Sequence, residues 1–224
     1  MVKLFAVKTL SVEGFQKLIP LLPPDKHIEE LLARSRNLLV IQHNILGYLL
    51  MRKVLHAEYR VNPCEVKIVT NEHSKPSLSG MPGLHFNISH SGDWVVSAFS
   101  EKPVGIDIEK IKRVNLQVAH RFFSSPEIGF LNEVMENERD LWFLKLWTIK
   151  ESYLKALGTG LSRSMSSFVA SYADGGFQIR DDENPDEVFL AHSNFEENYL
   201  LSVSAFEPHI QDGVKTIDAI NLIV

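Results

Sequence analysis

Two acidic side chains alternate with apolar ones in the stretch from Val104 to Glu109. In a β-strand successive side chains point to opposite faces, so Asp107 and Glu109 project together while Ile106 and Ile108 share the other face. Two carboxylates this close repel each other unless water, a shared proton or a cation compensates their charge. Oxygen ligands of this kind suit Mg²⁺ bound together with substrate phosphates. The same alternation is typical of an ordinary strand with one buried and one solvated face, so both readings remain open from this stretch alone.

A second polar group lies just before the carboxylate strand. Residues 84–88 alternate as a strand and residues 94–99 read as the returning strand of a hairpin, with Ser89, His90 and Ser91 in the predicted turn. Hydroxyl and imidazole groups can donate hydrogen bonds to phosphate oxygens, but serine also closes turns without further function. Since residues 101–103 lead directly into the carboxylate strand, the turn and Asp107 belong to neighbouring elements.

A third group lies on a predicted helix over residues 144–158 that stops at Gly158. Thr148, Glu151 and Lys155 line one face of this helix at spacings of three and four. From spacing alone, Glu151 and Lys155 form an exposed intrahelical salt bridge worth about 0.3 kcal/mol. The alternative is that they supply a carboxylate and an ammonium group to a shared site.

The elements that must position these groups are a mixture of helices and strands without strict βαβ alternation. The patterns predict a short helix near residues 12–19, a long helix in one or two pieces over residues 25–59, and a helix that starts at Ser124. The other predicted strands cover residues 1–8, 65–70, 167–172, 176–180, 188–191 and 199–206. His43 lies within the long helix, where a hydrogen-bonded structural role is the default interpretation.

Composition excludes several classes of protein. The chain has 224 residues, of which 45% are hydrophobic and 23% charged, enough for one large or two small domains with a sizeable core. A net charge of −5 argues against a general nucleic-acid binder, which depends on a basic surface. The single cysteine, Cys64, excludes an internal disulfide and a multi-cysteine metal site, and it fits a cytoplasmic location.

No membrane segment is expected from the hydropathy pattern. Residues 1–8 lack the apolar core and cleavage site of a signal peptide. The most apolar window, residues 38–51, is interrupted by Gln42, His43 and Asn44 and is too short to span a bilayer.

Taken together, the polar groups resemble an ordered set of motifs. The sequence is similar to the 4′-phosphopantetheinyl transferases of the larger, surfactin-synthetase-activating type. The resemblance is strongest over residues 75–160 and rests on Lys75-Pro76, residues 86–91, residues 105–109, residues 121–124 with Glu127, and Trp147 with Lys150, Glu151, Ser152 and Lys155. Each piece is unspecific, whereas the ordered set is highly specific.

The resemblance implies a fold and an activity. The fold is α+β, with two similar, pseudo-symmetric halves at residues 1–104 and 105–224, each a small antiparallel sheet with helices, and an active site in the cleft between them. The protein would be a monomer that transfers phosphopantetheine from coenzyme A to a serine of an apo carrier protein, releasing adenosine 3′,5′-bisphosphate. Whether the carrier serves fatty-acid, polyketide or nonribosomal-peptide synthesis remains open.

The resemblance also implies roles for individual residues. Asp107, Glu109 and Glu151 would bind Mg²⁺ together with the pyrophosphate. Glu151, directly or through a metal-bound water, would act as the base for the carrier serine, and Lys155 would bind coenzyme A and stabilise or protonate the leaving phosphate. Three further residues would hold the coenzyme A phosphates, namely Lys75, Ser89 and His90.

One region departs from the pattern of the family. Relatives carry a basic cluster in the early helix that helps hold the nucleotide, whereas here residues 27–33 contain no lysine or arginine. Lys26, Arg34 and Arg36 are the available substitutes. This departure motivates an alternative, a non-catalytic relative that binds coenzyme A or a carrier domain; a structural interaction protein is the third hypothesis. Retention of all three acidic positions with Lys155 favours the enzyme.

Overall fold

The computed structural model describes residues 1–223, without the side chains of Cys64 and Leu161, so the inference about the Cys64 thiol lies outside the described side chains. The helices of this range are α1 Val12–Leu18, α2 Lys26–Arg34, α3 Leu38–Tyr59, α4 Ala119–Phe122, α5 Ser125–Glu133 and α6 Arg139–Leu157. The strands are β1 Lys3–Lys8, β2 Ile68–Thr70, β3 Pro76–Leu78, β4 His85–Ser91, β5 Trp94–Ser100, β6 Val104–Lys110, β7 Val169–Ala173, β8 Gly176–Arg180, β9 Phe189–Phe195, β10 Tyr199–Ala205 and β11 Lys215–Thr216.

Two small sheets, each covered by one long helix, form the framework. The first has the strand order β11-β1-β5-β4 and the second β6-β10-β9, and β2-β3 and β7-β8 are separate two-stranded pairs. All pairings are antiparallel except β1 with β11. Helix α3 packs on β5 and β1, and α6 packs on β6 and β10. The predicted α+β class of small antiparallel sheets with helices is confirmed.

The C-terminal residues return to the first sheet. Strand β11 pairs in parallel with β1, with Lys215 opposite Phe5, and Ile210 forms an isolated bridge with Val2. Leu222 belongs to the same buried cluster as α3. The division of the chain at residue 105 therefore stays a prediction, to which the structure adds that the last segment packs against the first half.

Side chains of β4 join the two sheets edge to edge. Because alternate amides of β6 point away from β10, they need other acceptors. Three alternate side chains of β4 accept these hydrogen bonds: Asn87 Oδ1 from Ile106 N at 2.9 Å, Ser89 Oγ from Ile108 N at 3.4 Å and Ser91 Oγ from Lys110 N at 3.1 Å. We refer to these three contacts as the β4–β6 ladder.

The hairpin of β4 and β5 differs from the prediction. Strand β4 continues through Ser91, and the turn is made by Gly92, with a φ of 53°, and Asp93. The placement of Ser89, His90 and Ser91 in the turn is therefore wrong. The physical reason is the β4–β6 ladder, which gives the serine hydroxyls partners only if the strand continues.

Helix α3 is longer than the predicted apolar window. It has 22 residues and is, among the described residues, the one helix that is long and apolar enough to cross a membrane. The prediction that this segment is too short is wrong, because Gln42 and His43 are accommodated within the helix. Gln42 Oε1 accepts from the amide of Leu10 at 2.7 Å, and 72% of the apolar window is buried inside the protein, as in a core helix.

Candidate active site

Asp107 lies at the centre of a polar cluster between β4, β6 and α6. The residue is only 5% exposed. Its Oδ1 accepts hydrogen bonds from Ser89 Oγ at 2.9 Å and from Lys155 Nζ at 2.5 Å. Its Oδ2 is buried without a hydrogen-bond partner in the described part of the chain. Since a buried carboxylate oxygen without a partner is costly, this atom is the clearest candidate in the cluster for contact with a bound cation.

Glu109 lies on the same face of β6 as Asp107. Its Oε2 accepts from Ser91 Oγ at 3.1 Å and lies 3.7 Å from Lys112 Nζ. Burial raises the pKa of Glu109, and the charge of Asp107 raises it further, while Lys112 and Ser91 oppose the shift. The repulsion that the sequence pattern implies for this pair therefore acts in the structure.

Glu151 belongs to the same electrostatic cluster. Burial raises the pKa of the Glu151 carboxyl most, Lys155 lowers it, and Asp107 and Glu109 raise it. The described ion pairs include Lys155 with Asp107 but none with Glu151, so the exposed intrahelical salt bridge that spacing alone suggests is not formed. Thr148 does not join the cluster, because it is fully buried and accepts from Ser202 Oγ at 2.8 Å.

Gly105 allows α6 to lie directly on β6. A Cβ atom at this position would lie 2.0 Å from Ser152 O and 2.4 Å from Ala156 N, both backbone atoms of α6. Only glycine permits this approach. The close contact of helix and strand brings Lys155 to Asp107, so this glycine contributes to the site through packing.

His90 and His43 form a stacked pair beside the carboxylates. Their ring centroids are 4.4 Å apart, and His43 Nε2 lies 2.8 Å from the carbonyl oxygen of Gly92. His90 keeps part of its surface exposed, but desolvation lowers the pKa of its imidazole to about 4, with further lowering by His43 and Lys155. A neutral imidazole offers one nitrogen that donates and one that accepts a hydrogen bond.

A cavity of about 400 Å³ adjoins the histidine pair, large enough for part of a nucleotide. Its polar lining includes His27, Arg34, His43, Asn44, Ser74 and His90. Arg34, one of the cations that the sequence offered for the nucleotide, lines the cavity. The side chain of Lys26, another of them, is 89% exposed, and its Nζ lies 3.8 Å from Glu30 Oε1. A larger cavity, of about 650 Å³, contains none of the predicted site residues.

Lys75 lies away from the carboxylates, at the C-terminal end of α6. Its Nζ donates to Ala156 O at 3.0 Å and to Val104 O at 3.4 Å. Nearby, Asn71 Nδ2 donates to Gly158 O at 2.9 Å. An ammonium group at helix carbonyls interacts favourably with the helix dipole. The loop over residues 71–75 thus connects the first half of the chain to α6, and a role of Lys75 in binding coenzyme A stays a prediction.

The partly buried Lys75 predicts a pH dependence of stability. Burial lowers the pKa of Lys75 from 10.5 to about 8. The folded protein then binds fewer protons than the unfolded chain between these two values, so the free energy of unfolding rises with pH across this window. We expect Lys75→Met to remove part of this rise, measured by urea unfolding at about pH 7 and about pH 9.5. Lys67→Met, at an exposed lysine, is the control; an unchanged slope in Lys75→Met would contradict the prediction.

Two features were given no role from the sequence. Ser91 contacts Glu109, and a correct strand boundary would have placed it on the face of Ser89.

Glu127 was named only as part of the ordered set of motifs. Its Oε2 accepts from Ser124 N at 2.7 Å, and its Oε1 forms a buried ion pair with Lys150 Nζ at 2.5 Å. Lys150, which the family motif also includes, therefore stabilises the fold through this ion pair.

The donor set fits a hard divalent cation. As the side chains stand, no group of three His, Cys, Asp or Glu residues within the described range is arranged to hold a metal ion. The chemistry nevertheless fits, because Asp107 Oδ2 has no partner and the pKa values of Glu109 and Glu151 are raised by burial and by neighbouring carboxylates. A cation would compensate all three carboxylates at once.

Models of one enzyme family match both parts of the chain. Residues 103–204 match the model described as the 4′-phosphopantetheinyl transferase superfamily. Residues 19–102 match the model described as 4′-phosphopantetheinyl transferase, N-terminal.

Three relatives align over most of the chain. The 4′-phosphopantetheinyl transferase psf-1 of Bacillus pumilus is 33% identical, over 99% of this chain and 97% of its own length. The 4′-phosphopantetheinyl transferase Sfp of Bacillus subtilis is 32% identical, over 94% and 93%. The 4′-phosphopantetheinyl transferase ffp of Bacillus subtilis is 36% identical, over 77% and 78%. Near-complete alignment with two of these transferases, added to the two matching models and the carboxylate cluster, means that the protein belongs to the 4′-phosphopantetheinyl transferase superfamily and transfers phosphopantetheine from coenzyme A to carrier proteins.

Proposed function

We propose that this transfer is magnesium-dependent and takes place at the cluster of Asp107, Glu109, Glu151 and Lys155. The observation that carries the proposal is the buried Asp107 carboxylate, which has one oxygen bonded to Ser89 and Lys155 and the other without a partner. A cation-binding carboxylate beside an ammonium group is suited to phosphoryl-type transfer, in which charge must be stabilised on the reacting phosphates.

The three carboxylates are the proposed ligands of the ion. Asp107, Glu109 and Glu151 would hold Mg²⁺ together with the pyrophosphate of coenzyme A. When bound, the ion supplies charge stabilisation for the pyrophosphate and relieves the repulsion among the carboxylates.

The remaining chemistry is assigned to side chains of the protein. Glu151 takes the proton of the carrier serine while the serine oxygen forms a bond to the β-phosphorus of coenzyme A. At the same time the bond between this phosphorus and the bridging oxygen of the pyrophosphate breaks. Lys155 stabilises or protonates the departing phosphate of adenosine 3′,5′-bisphosphate.

The coenzyme A phosphates are assigned to Lys75, His90 and Lys155, of which His90 contributes a hydrogen bond and the two lysines contribute charge. Ser89, predicted for the same role, gives its one hydroxyl proton to Asp107 Oδ1 and therefore serves the site through that carboxylate. The cavity beside His90 is the proposed nucleotide site, with Arg34 as a cation in its lining. The two halves of the chain, residues 1–104 and 105–224, form the cleft of a cytoplasmic monomer that binds neither nucleic acid nor membrane.

A mass measurement tests the proposed reaction. The full chain is incubated with coenzyme A, magnesium chloride and a panel of apo carrier domains, with and without a chelator. We expect the carrier to gain the mass of phosphopantetheine only when magnesium is present. Equal mass gain with chelator would contradict the magnesium dependence.

The assignment of Glu151 as base predicts a loss in kcat. Glu151→Gln keeps the shape of the side chain but is unable to accept the serine proton. We expect kcat to fall by about 10²- to 10⁴-fold, with a smaller change in the KM for coenzyme A. Steady-state kinetics of carrier modification measures both values, and Glu133→Gln, at an exposed glutamate, is the control. A kcat equal to that of the control would remove Glu151 from this role.

A further inference from the structure

We propose that Ser91 is a positioning residue that holds the Glu109 carboxylate ready for the ion, as Ser89 does for Asp107. The inference rests on the proposed function, in which both carboxylates bind Mg²⁺. Ser91 belongs neither to the predicted site residues nor to those assigned to coenzyme A.

The two serines make the same pair of contacts one step apart on the β4–β6 ladder. Ser89 Oγ accepts from the amide of Ile108 and donates to Asp107 Oδ1. Ser91 Oγ accepts from the amide of Lys110 at 3.1 Å and donates to Glu109 Oε2 at 3.1 Å. Each hydroxyl therefore binds one carboxylate of β6 and the amide of the following residue.

This double contact orients the serine hydroxyl. A hydroxyl has one proton, and when its lone pair accepts from a backbone amide, the proton is directed to the remaining acceptor. Because the amide belongs to a paired strand, the Ser91 hydroxyl is fixed by the fold, and it fixes Glu109 in turn.

Other contacts of Glu109 are weaker. Lys112 Nζ is 3.7 Å away, and the Lys112 side chain is 62% exposed, so this ion pair adds little. A glutamate side chain that is free to rotate loses conformational entropy when it binds an ion. Ser91 reduces this loss before the ion arrives.

Asn87 supplies a matched comparison within the same ladder. Its Oδ1 accepts from the amide of Ile106 at 2.9 Å, as the serines do from theirs. The β6 residue at the position equivalent to Asp107 and Glu109 is Gly105, which has no carboxylate. Loss of the Asn87 side chain therefore disturbs the β4–β6 ladder without removing a hydrogen bond from any of the carboxylates proposed to bind the ion.

The experiment measures ion binding directly in the full chain. Free Mn²⁺ is followed by electron paramagnetic resonance during titration with manganese chloride, and the magnesium dependence of carrier modification is measured at saturating coenzyme A. We expect Ser91→Ala to weaken Mn²⁺ binding and to raise the half-saturating magnesium concentration about tenfold. The KM for coenzyme A should stay unchanged, and Ser91→Thr, which retains a hydroxyl, should restore both ion readouts.

The control variants distinguish a specific role of Ser91 from general destabilisation of the β4–β6 ladder and from failure of the proposed metal site. Asn87→Ala should lower the thermal midpoint and leave Mn²⁺ affinity unchanged. Unchanged Mn²⁺ affinity in Ser91→Ala, the same loss in Asn87→Ala, or no recovery in Ser91→Thr would each overturn the role of Ser91. Asp107→Ala is included because it tests the ion site itself: if it binds Mn²⁺ as tightly as the parent chain, the proposed metal site fails together with the inference.

Discussion

Asp107→Ala should abolish transfer of phosphopantetheine while leaving the protein folded. The substitution removes the carboxylate that bonds both Ser89 and Lys155 and the buried oxygen that has no other partner. A proposed ligand of the ion and the partner of the Lys155 ammonium group, which we propose acts on the leaving phosphate, are lost in one step, so we expect kcat to fall by about 10³-fold or more.

The fold should survive this change for a physical reason. Lys155 loses its ion partner, but its side chain is 26% exposed and can turn towards solvent. We therefore expect a loss of stability of about 1–3 kcal/mol, which leaves most domains folded. Circular dichroism and urea unfolding check the fold, and mass spectrometry of the carrier checks transfer.

Asp93→Ala is the matched control for Asp107→Ala. Asp93 lies on the hairpin turn, where its carboxylate pairs with Lys110 at 3.2 Å, outside the proposed cluster. Transfer at the parental rate in this variant, together with its loss in Asp107→Ala, would locate the effect at the cluster. A folded Asp107→Ala protein with undiminished activity would rule out the metal assignment.

The local pattern of β6 was predictable because the backbone enforces it. A strand repeats every two residues, so Asp107 and Glu109 had to share a face and Ile106 and Ile108 had to be buried, as they are. The same holds for α6, where helical spacing put Glu151 and Lys155 one turn apart and Gly158 ends the helix. The spacing does not show which side chains from other elements these groups contact. That information came from the resemblance of the ordered set of motifs to the family.

Long-range contacts account for the sequence-based errors. Turn propensity placed Ser89 and Ser91 in a loop, because nothing local shows that their hydroxyls bond an adjacent strand edge. The polar residues of α3 led to the prediction of an interrupted apolar window. Nothing local shows that Gln42 is bonded inside the protein, because its partner, Leu10, lies 32 positions earlier. The return of β11 to β1 likewise joins opposite ends of the chain, and no periodicity reports it.

The largest effect on stability is expected from Gly105→Ala. The new methyl group would lie 2.0 Å from Ser152 O and 2.4 Å from Ala156 N. Because both are backbone atoms, neither can rotate away as the tip of a side chain could, and α6 has to move off β6. We expect a loss of about 3 kcal/mol or more in the free energy of unfolding, at or beyond the upper end for overpacked cores.

Gly129→Ala is the matched control for this loss. Gly129 lies inside α5, and an added Cβ there would meet no atom within 4 Å. The same chemical change should therefore stabilise the protein by about 0.5–1 kcal/mol, because alanine is the better helix former. Urea unfolding of both variants measures the difference, and a Gly105→Ala protein as stable as the parent chain would show that α6 does not lie this close to β6.

The activity of the Gly105→Ala protein then tests whether the packing of α6 on β6 affects the rate of transfer. Lys155 comes within 2.5 Å of Asp107 only while α6 stays against the strand. At a temperature where the variant remains folded, we expect the rate of transfer to fall by more than the unfolded fraction explains, because the ammonium group is displaced from the carboxylate. A rate that falls only in proportion to the unfolded fraction would mean that Gly105 serves stability alone.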